Sequence, residues 1–313
     1  MSQRLRRLST KWYTDTLFAK EKSITGNTCA QLFTDGEGFV YTHPMRSKAQ
    51  AGEALSKVTK DVGVPNIIIS DGAKEETGEN TKFVEMMKQC NIDGRTTEPY
   101  SPWQNKAENT IGIIKGKAKR RRIRRRVPKR VWDFGIVWES EIYSRTASKD
   151  GRTPLERITG DTIDISEWLE FEVYDLCWYW DNQHDSTEPK IGRWLGVSHR
   201  VGSALCYWVL TDKGKVLART TVQHLTKEEV QKPDIQQSIR DYHNLMHATI
   251  GSDEFTTDMD DFNDFINDDI PGNEDEDDVI DDIEDYQGLP IVPDIDDIVD
   301  NSDARKLADT YDQ

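Results

Sequence analysis

Cysteine is scarce in this sequence. Cys29, Cys90, Cys177 and Cys206 are the only four in 313 residues, and they stand far apart, mostly in apolar runs. That spacing offers neither a disulfide framework nor a Cys-x-x-Cys zinc pair. It predicts reduced core thiols in an intracellular protein. Long hydrophobic runs are missing too: nothing approaches the roughly 18 consecutive apolar residues that a membrane span requires. The N-terminus carries Arg4, Arg6 and Arg7 and no signal-peptide pattern. Membrane and secretory classes are therefore not expected. The glycine fingerprint of a dinucleotide fold and the P-loop are also absent, which excludes the commonest nucleotide-binding α/β designs.

One further absence is local. From Asp241 to Ala304 there are 23 Asp and Glu and no Lys or Arg, while residues 1–240 hold 39 Lys and Arg against 32 Asp and Glu. The net charge of −16 thus combines a basic body of about +7 with a strongly acidic C-terminal stretch. From about Ser252 onward, low hydrophobicity with high charge predicts disorder.

What is present reads as an α/β layer followed by an all-β region. Strands are expected at 11–18, 28–33 and 39–43, with Asp35-Gly36 as a hairpin turn between the last two. Helical spacing follows over 47–61, with Ser47 as its N-cap. Residues 66–70 (Asn66-Ile67-Ile68-Ile69-Ser70) are apolar enough for a strand buried on both faces. A helix near 81–90, a short segment at 92–97, a long helix over 104–126 stopped by Pro128, and a helix over 131–147 complete the order βββαβαβαα. After about Ser166, alternating segments at 171–180, 193–199, 204–211 and 215–222 predict a small β-barrel. There Trp178, Trp180, Trp194 and Trp208 are expected in the core, and Arg193, His199, Arg200 and Arg219 are weaker candidates for phosphate contacts. The expected domains are 1–150, a linker at 151–170, the barrel at 171–228 and an acidic, largely disordered tail at 229–313.

Three acidic residues carry the chemistry. Asp15 lies in the first strand, Asp71 follows the Ile67–Ser70 strand, and Glu108 opens the long helix after Tyr100-Ser101-Pro102-Trp103-Gln104-Asn105-Lys106-Ala107. Carboxylates at the ends of separate elements can converge at one sheet edge. Such a cluster is costly unless divalent cations neutralise it, and hard oxygen donors suit Mg²⁺ or Mn²⁺. Taken singly, each has a plain structural reading: a strand-end Asp, an Asp-Gly turn, and a helix N-terminal Glu favoured by the dipole. Asp35 competes with Asp15 as first ligand, although its turn context favours a structural role.

The combined pattern resembles the catalytic core of retroviral and retrotransposon integrases, most closely the copia-type branch. It comprises Asp15, then Asp71-Gly72 after a hydrophobic strand, then the Tyr100–Glu108 string, with 36 residues between Asp71 and Glu108. The resemblance covers roughly residues 10–150 by motif and extends loosely to 225. It implies an RNase H-like fold in which Asp15, Asp71 and Glu108 hold two Mg²⁺ or Mn²⁺ ions. The implied reaction trims donor DNA 3′ ends and joins them to target DNA. It implies that Lys115, seven residues after Glu108, contacts donor DNA, and that Gln104 and Asn105 lie in a mobile loop at the DNA end. Nuclear action with a cytoplasmic phase and a homo-oligomer on two DNA ends are likewise implied. There are departures. The family's Asn-Gly-x-Ala-Glu is here Asn105-Lys106-Ala107-Glu108, one residue shorter and without the glycine, and Gly72 stands where Asn is frequent. The His/His/Cys/Cys zinc module has no room in the fourteen residues before Asp15, and His243 with His247 does not replace it.

Lys115 to Arg130 contains eleven basic residues, among them Lys119, Arg120, Arg121, Arg122, Arg124, Arg125 and Arg126. They occupy every helix face after Lys119, so their repulsion is expected to be relieved by DNA phosphates, with a nuclear import signal as a compatible role. In the acidic stretch, Phe255, Met259, Phe262 and Ile266 follow helical spacing. The plain reading is a polyprotein linker. The sharper ones are a segment that folds on a basic protein partner, or an intramolecular DNA mimic over the Arg-rich helix. No reverse-transcriptase Tyr-x-Asp-Asp, protease signature or zinc knuckle is present, so a piece of a larger polyprotein is expected. Two other readings remain: an integrase-derived DNA binder without catalysis, and an RNase H-like nuclease with the same metals.

Overall fold

The computed structural model describes residues 5–71, 81–97, 106–180, 188–199, 201 and 205–251. These residues all belong to one compact unit.

The first sheet starts from three antiparallel strands, β1 (Lys11–Phe18), β2 (Cys29–Thr34) and β3 (Val40–Met45). Strands β4 (Ile67–Ser70) and β5 (Asp93–Thr96) add to it in parallel, giving the order β3-β2-β1-β4-β5. This five-stranded mixed sheet has the arrangement that the RNase H-like expectation requires. Helix α1 (Ala51–Asp61) and helix α2 (Lys82–Gln89) cover one face, where Ala54, Leu55, Val58 and Phe83 pack against Trp12, Phe33 and Ile68. The opposite face receives α3 (Lys106–Arg125) and α4 (Trp132–Arg145), through Ala107, Ile111, Ile114, Trp132 and Ile136 over Leu17, Ala30 and Leu32.

Two local expectations need correction. Ser47 precedes a 3-10 turn, Lys48–Gln50, but its side chain makes no capping bond, and α1 begins only at Ala51. The β4 strand is not buried on both sides, since Ile67 and Ile69 are half-buried while Ile68 and Ser70 are buried. The reason is that α3 lies across β1 and β2, leaving β4 less covered on that face.

At the sheet's far edge, α4 satisfies β3. Val40 N donates to Ser144 Oγ (2.8 Å), Ser144 Oγ donates to Val40 O (2.7 Å), and the hydroxyls of Thr42 and Ser140 lie 2.6 Å apart. The outward backbone groups of Val40 are thereby satisfied, and part of the edge strand is covered.

The expected linker at 151–170 is instead structured. It holds α5 (Pro154–Thr159), capped by Thr153, and α6 (Ser166–Leu169), whose Trp168 is buried with Phe171 and Trp138. Apolar anchors inside a polar stretch account for the difference.

The second sheet is antiparallel, with β6 (Leu176–Tyr179), β7 (Lys190–Val197), β8 (Tyr207–Leu210), β9 (Val216–Arg219) and β10 (Val222–His224) in the order β10-β6-β7-β8-β9. Its two edge strands, β9 and β10, are separated by only Thr220 and Thr221. Two residues span about 10 Å at most, so the sheet curls enough to bring the end of β9 near the start of β10. Trp194 is fully buried there, and Trp178 and Trp208 pack half-buried against the second core.

The tail expected from 229 is corrected over its first part. Helix α7 (Lys227–Val230) opens with a capping box at Thr226, and α8 (Pro233–Ile250) buries Ile239, Tyr242, Met246 and Ile250. That apolar stripe packs on Ile191, Leu195 and Leu210, and Tyr242 OH donates to Leu210 O at 3.0 Å. A spacing of three and four residues drives α8 onto the sheet despite the polar composition around it. The disorder expected from Ser252 onward falls outside the described residues. Among the described residues no helix is long and apolar enough to cross a membrane.

Candidate functional site

Asp15 sits mid-strand on β1, opposite Leu32 of β2. Its neighbours Thr14 and Thr16 point to the other face, where the buried Gln31 amide ties them together. Gln31 Nε2 donates to Thr14 Oγ1 (2.7 Å), Thr16 Oγ1 donates to Gln31 Oε1 (2.8 Å), and Thr14 Oγ1 donates to Leu32 O (2.8 Å). The backbone on both sides of Asp15 is therefore fixed, while its half-buried carboxylate faces the α3 side and accepts from Thr16 N at 2.7 Å.

The parallel ladder between β1 and β4 pairs Lys11 with Ile67, Trp12 with Ile68 and Tyr13 with Ile69. Carried on by two residues, that register sets Asp71 beside Asp15 on the same sheet face. Asp71 is exposed at the end of β4, next to the less covered part of that face. Glu108 lies half-buried in the first turn of α3. Lys106 anchors that turn: its Nζ stands 5.7 Å from the Tyr13 ring centroid, two residues before Asp15 on the same face. Its stem also lies over the β2–β3 turn, where a Cβ added at Gly36 (φ +74) would fall 2.1 Å from Lys106 Cδ. Lys106, Tyr13 and Gly36 thus set where Glu108 begins. In the sequence Lys106 stands only as a departure from a motif, because its partners are distant in the chain.

Asp35 is a turn residue. Its Oδ1 accepts from Glu37 N (2.8 Å) and Phe39 N (3.0 Å). Burial raises its carboxyl above the usual range against the pull of those two bonds. The rival first ligand is thereby accounted for as structural.

The three carboxylates share a chemistry, and hard oxygen donors fit Mg²⁺ or Mn²⁺. Among the described residues, however, no three Asp, Glu, His or Cys side chains are drawn close enough to hold one ion. Three bare carboxylates in contact would repel one another. Gln104 and Asn105 lie outside the described residues, as does Gly72.

The basic helix requires the largest correction. Carboxylates, not only a polyanion, relieve its charge. Arg121 pairs with Glu139 and, at 3.1 Å, with Glu172; Arg125 pairs with Glu172 and, at 3.0 Å, with Asp175. Arg122 is buried. Lys117, half-buried beside the Tyr143 ring, has its pKa lowered by that burial. Arg120 and Arg126 remain exposed, Arg124 is 55% exposed while reaching Glu172 at 3.2 Å, and Lys115 and Lys119 are half-buried on the Glu108 side of the helix. Burial pushes the Glu172 carboxyl up, but the bond from Arg125 and the charges of Arg125, Arg121 and Arg124 outweigh it, so it titrates below its ordinary range. The weaker candidate Arg193 is also turned inward, donating to Tyr174 O (2.7 Å) and His243 Nε2 (2.8 Å).

No family model matches the sequence, and no curated protein matches it either. Among solved structures, the chain is similar to one in a cryo-EM structure of the simian T-cell lymphotropic virus intasome in complex with PP2A regulatory subunit B56 gamma. That match has 13% identity and a TM-score of 0.41, and covers 72% of this chain and 81% of that one. It is similar to the catalytic core domain of BIV integrase, at 16% identity and a TM-score of 0.39, over 48% of this chain and 93% of that one. It is also similar to the HTLV-2 integrase catalytic core domain in complex with magnesium, at 19% identity and a TM-score of 0.39, over 50% and 99%.

Proposed function

We propose that this chain is an integrase-type polynucleotidyl transferase from a copia-type element, which trims donor DNA 3′ ends and joins them to target DNA. What supports the reading is the β1–β4 pairing, observed as far as Tyr13 with Ile69, which carried on by two residues would bring Asp71 level with Asp15, together with Glu108 in the first turn of the helix that packs over that face. The Tyr100–Glu108 string adds to it, because a structural helix start does not require those residues.

Asp15, Asp71 and Glu108 are the residues that would hold two Mg²⁺ or Mn²⁺ ions, and such ions when bound supply Lewis acidity for in-line phosphoryl transfer. The Gln31 network keeps Asp15 in place, and the Lys106 contacts fix the start of α3 and with it Glu108. Lys115 and Lys119, two and three turns along the same side, orient the donor phosphates near the carboxylates. Arg120, Arg124 and Arg126 bind the backbone by charge, without reading sequence. In trimming, a water oxygen bonds to phosphorus and the donor's 3′ oxygen leaves as a hydroxyl. In joining, that hydroxyl oxygen attacks a target phosphodiester, whose own 3′ oxygen departs. The curled second sheet acts as a small barrel behind the core, and the protein works in the nucleus as a homo-oligomer on two ends.

The alternative is an integrase-derived DNA binder without catalysis, favoured by carboxylates that are not gathered into one cluster. A pre-branched duplex that mimics the joined product separates the two, assayed in Mg²⁺ and then Mn²⁺. Resolution and rejoining by the native chain should fall by at least about 100-fold in Asp71→Asn and in Glu108→Gln, with duplex affinity unchanged. Salt-sensitive binding with no product from any of the three chains would leave the non-catalytic binder standing.

A further inference from the structure

The end of α3 opposite its arginines holds a lysine that helix stability does not account for. Lys106 is the first residue of α3, where a cation opposes the helix dipole. Its stem is nevertheless pinned. A Cβ added at Gly36 would lie 2.1 Å from Lys106 Cδ, 3.0 Å from its Cβ and 3.1 Å from its Cγ. Three successive carbons therefore run close along Gly36, whose φ of +74° suits glycine in any case. Pinning the stem removes in advance much of the rotamer freedom that a surface lysine loses when its ammonium makes a contact. The ammonium is carried over the Tyr13 ring, with Nζ 5.7 Å from the ring centroid, while the residue as a whole stays exposed. An aromatic ring and a glycine leave its positive charge in place.

Position gives this charge a use. Tyr13 and Asp15 are two residues apart on one face of β1, roughly 7 Å along the strand. Glu108 follows Lys106 by two residues, in the same helical turn. The ammonium thus stands beside the strand that carries Asp15 and at the turn that carries Glu108. Arg121, Arg124 and Arg125 lie more than about 20 Å further along the helix, held by Glu139, Glu172 and Asp175. A phosphodiester brought to the carboxylates meets Lys106 already in place, and an ammonium binds phosphate as a point charge without the planar geometry that arginine demands.

We propose that Lys106 binds a phosphodiester oxygen of the DNA strand that enters beside Asp15 and Glu108, and so sets the register of that strand at the carboxylates. This role rests on the nucleic-acid reading above.

The test uses the full chain, Lys106→Met and Lys106→Arg. The probe is a pre-branched duplex in which single phosphates near the branch are replaced by neutral methylphosphonates, one position at a time, on the donor arm and on the target arm. Affinity is read by fluorescence anisotropy at about 50 mM salt. Lys106→Met should bind the all-phosphate substrate about tenfold more weakly, the effect of one lost phosphate contact, and Lys106→Arg should keep most of the native affinity. A methylphosphonate at one position should weaken the native chain by the same factor and leave Lys106→Met unchanged. The arm that holds this position tells whether donor or target supplies the phosphate. A purely structural lysine would instead lower affinity for every substrate by one factor, so that the losses add. Native affinity in Lys106→Met, or losses that add at every position, would overturn the proposal while leaving DNA binding intact. A native chain that does not bind the branched duplex would remove the proposal together with the nucleic-acid reading.

Discussion

Single side chains here carry opposite pH dependences. The hydrogen bond to Glu141 lifts His199 above the ordinary histidine range against burial, with the Glu141 and Glu167 charges helping and Arg145 opposing. The ring lies 5.5 Å from that of Trp168, whose Nε1 donates to the same Glu141 at 2.8 Å. Burial first, then Arg193 and His247, pushes His243 down to about 4. Because Arg193 donates to His243 Nε2, that nitrogen must be unprotonated in the fold. His199 therefore contributes stability below about pH 6.5 that is lost as pH rises through its raised folded value. His243 does the reverse: between about pH 6.5 and 4 the unfolded chain binds a proton that the folded chain refuses, so stability falls on acidification. Thermal melts across pH 4–8 check both. His243→Gln should flatten the acid limb, worth on the order of 1–3 kcal/mol, and His199→Phe should flatten the limb above pH 6.5. An acid limb unchanged in His243→Gln would mean that the ring is not held neutral.

At the scale of elements, one carboxylate and one helix carry unusual weight. Glu172, between α6 and β6, accepts from Arg121, Arg124 and Arg125 of α3. Glu172→Ala leaves three guanidinium groups near one another and should cost about 1–2 kcal/mol, since the pair is neither fully exposed nor buried. The loss should be larger at low salt, where arginine repulsion is least screened. The native Glu172 contribution is present above about pH 4.5 and is lost as pH falls through its depressed folded value, so the wild-type and Glu172→Ala melting curves should converge in acid. Helix α8 buries four apolar side chains, worth on the order of 6–12 kcal/mol before ordering costs. A chain ending at 251 should unfold cooperatively in urea, whereas one ending at 228 should expose the second core and lose its sharp transition. Equal midpoints for the two truncations would show that α8 is dispensable.

For the whole molecule, the distribution of charge determines how it meets a polyanion. If all of Lys115, Lys119, Arg120, Arg121, Arg122, Arg124, Arg125 and Arg126 met phosphates, the slope of log K against log salt would be about −7. With Arg121, Arg124 and Arg125 engaged by carboxylates and Arg122 buried, at most four contribute, giving a slope no steeper than about −3.6. Fluorescence anisotropy of a labelled duplex from 50 to 300 mM salt decides between them. The steeper slope would mean that the ion pairs to Glu139, Glu172 and Asp175 open when DNA binds.

Much of this architecture was legible in the residues because it is local. Alternation marks β1, helical spacing marks α1 and α2, and Pro128 keeps the long helix from running on past Arg125. The three carboxylates stood out because each lies in or next to a recognisable element. Local pattern could not show that α3 covers β1 and β2 but leaves β4 half-open, or that Lys106 rests on Gly36 and Tyr13. Both are set by packing between segments distant in the chain. Composition misjudged residues 229–251, where four well-spaced apolar side chains outweigh a polar average once a sheet is there to receive them. It also misjudged the basic helix, because a count of arginines does not tell which of them face carboxylates. The sequence by itself determined the elements of the first sheet and the helices that cover it, the acidic residues they present and the sign of charge along the chain. The tertiary structure decided which charges are already matched and which face outward, since that depends on distance and burial rather than on residue type.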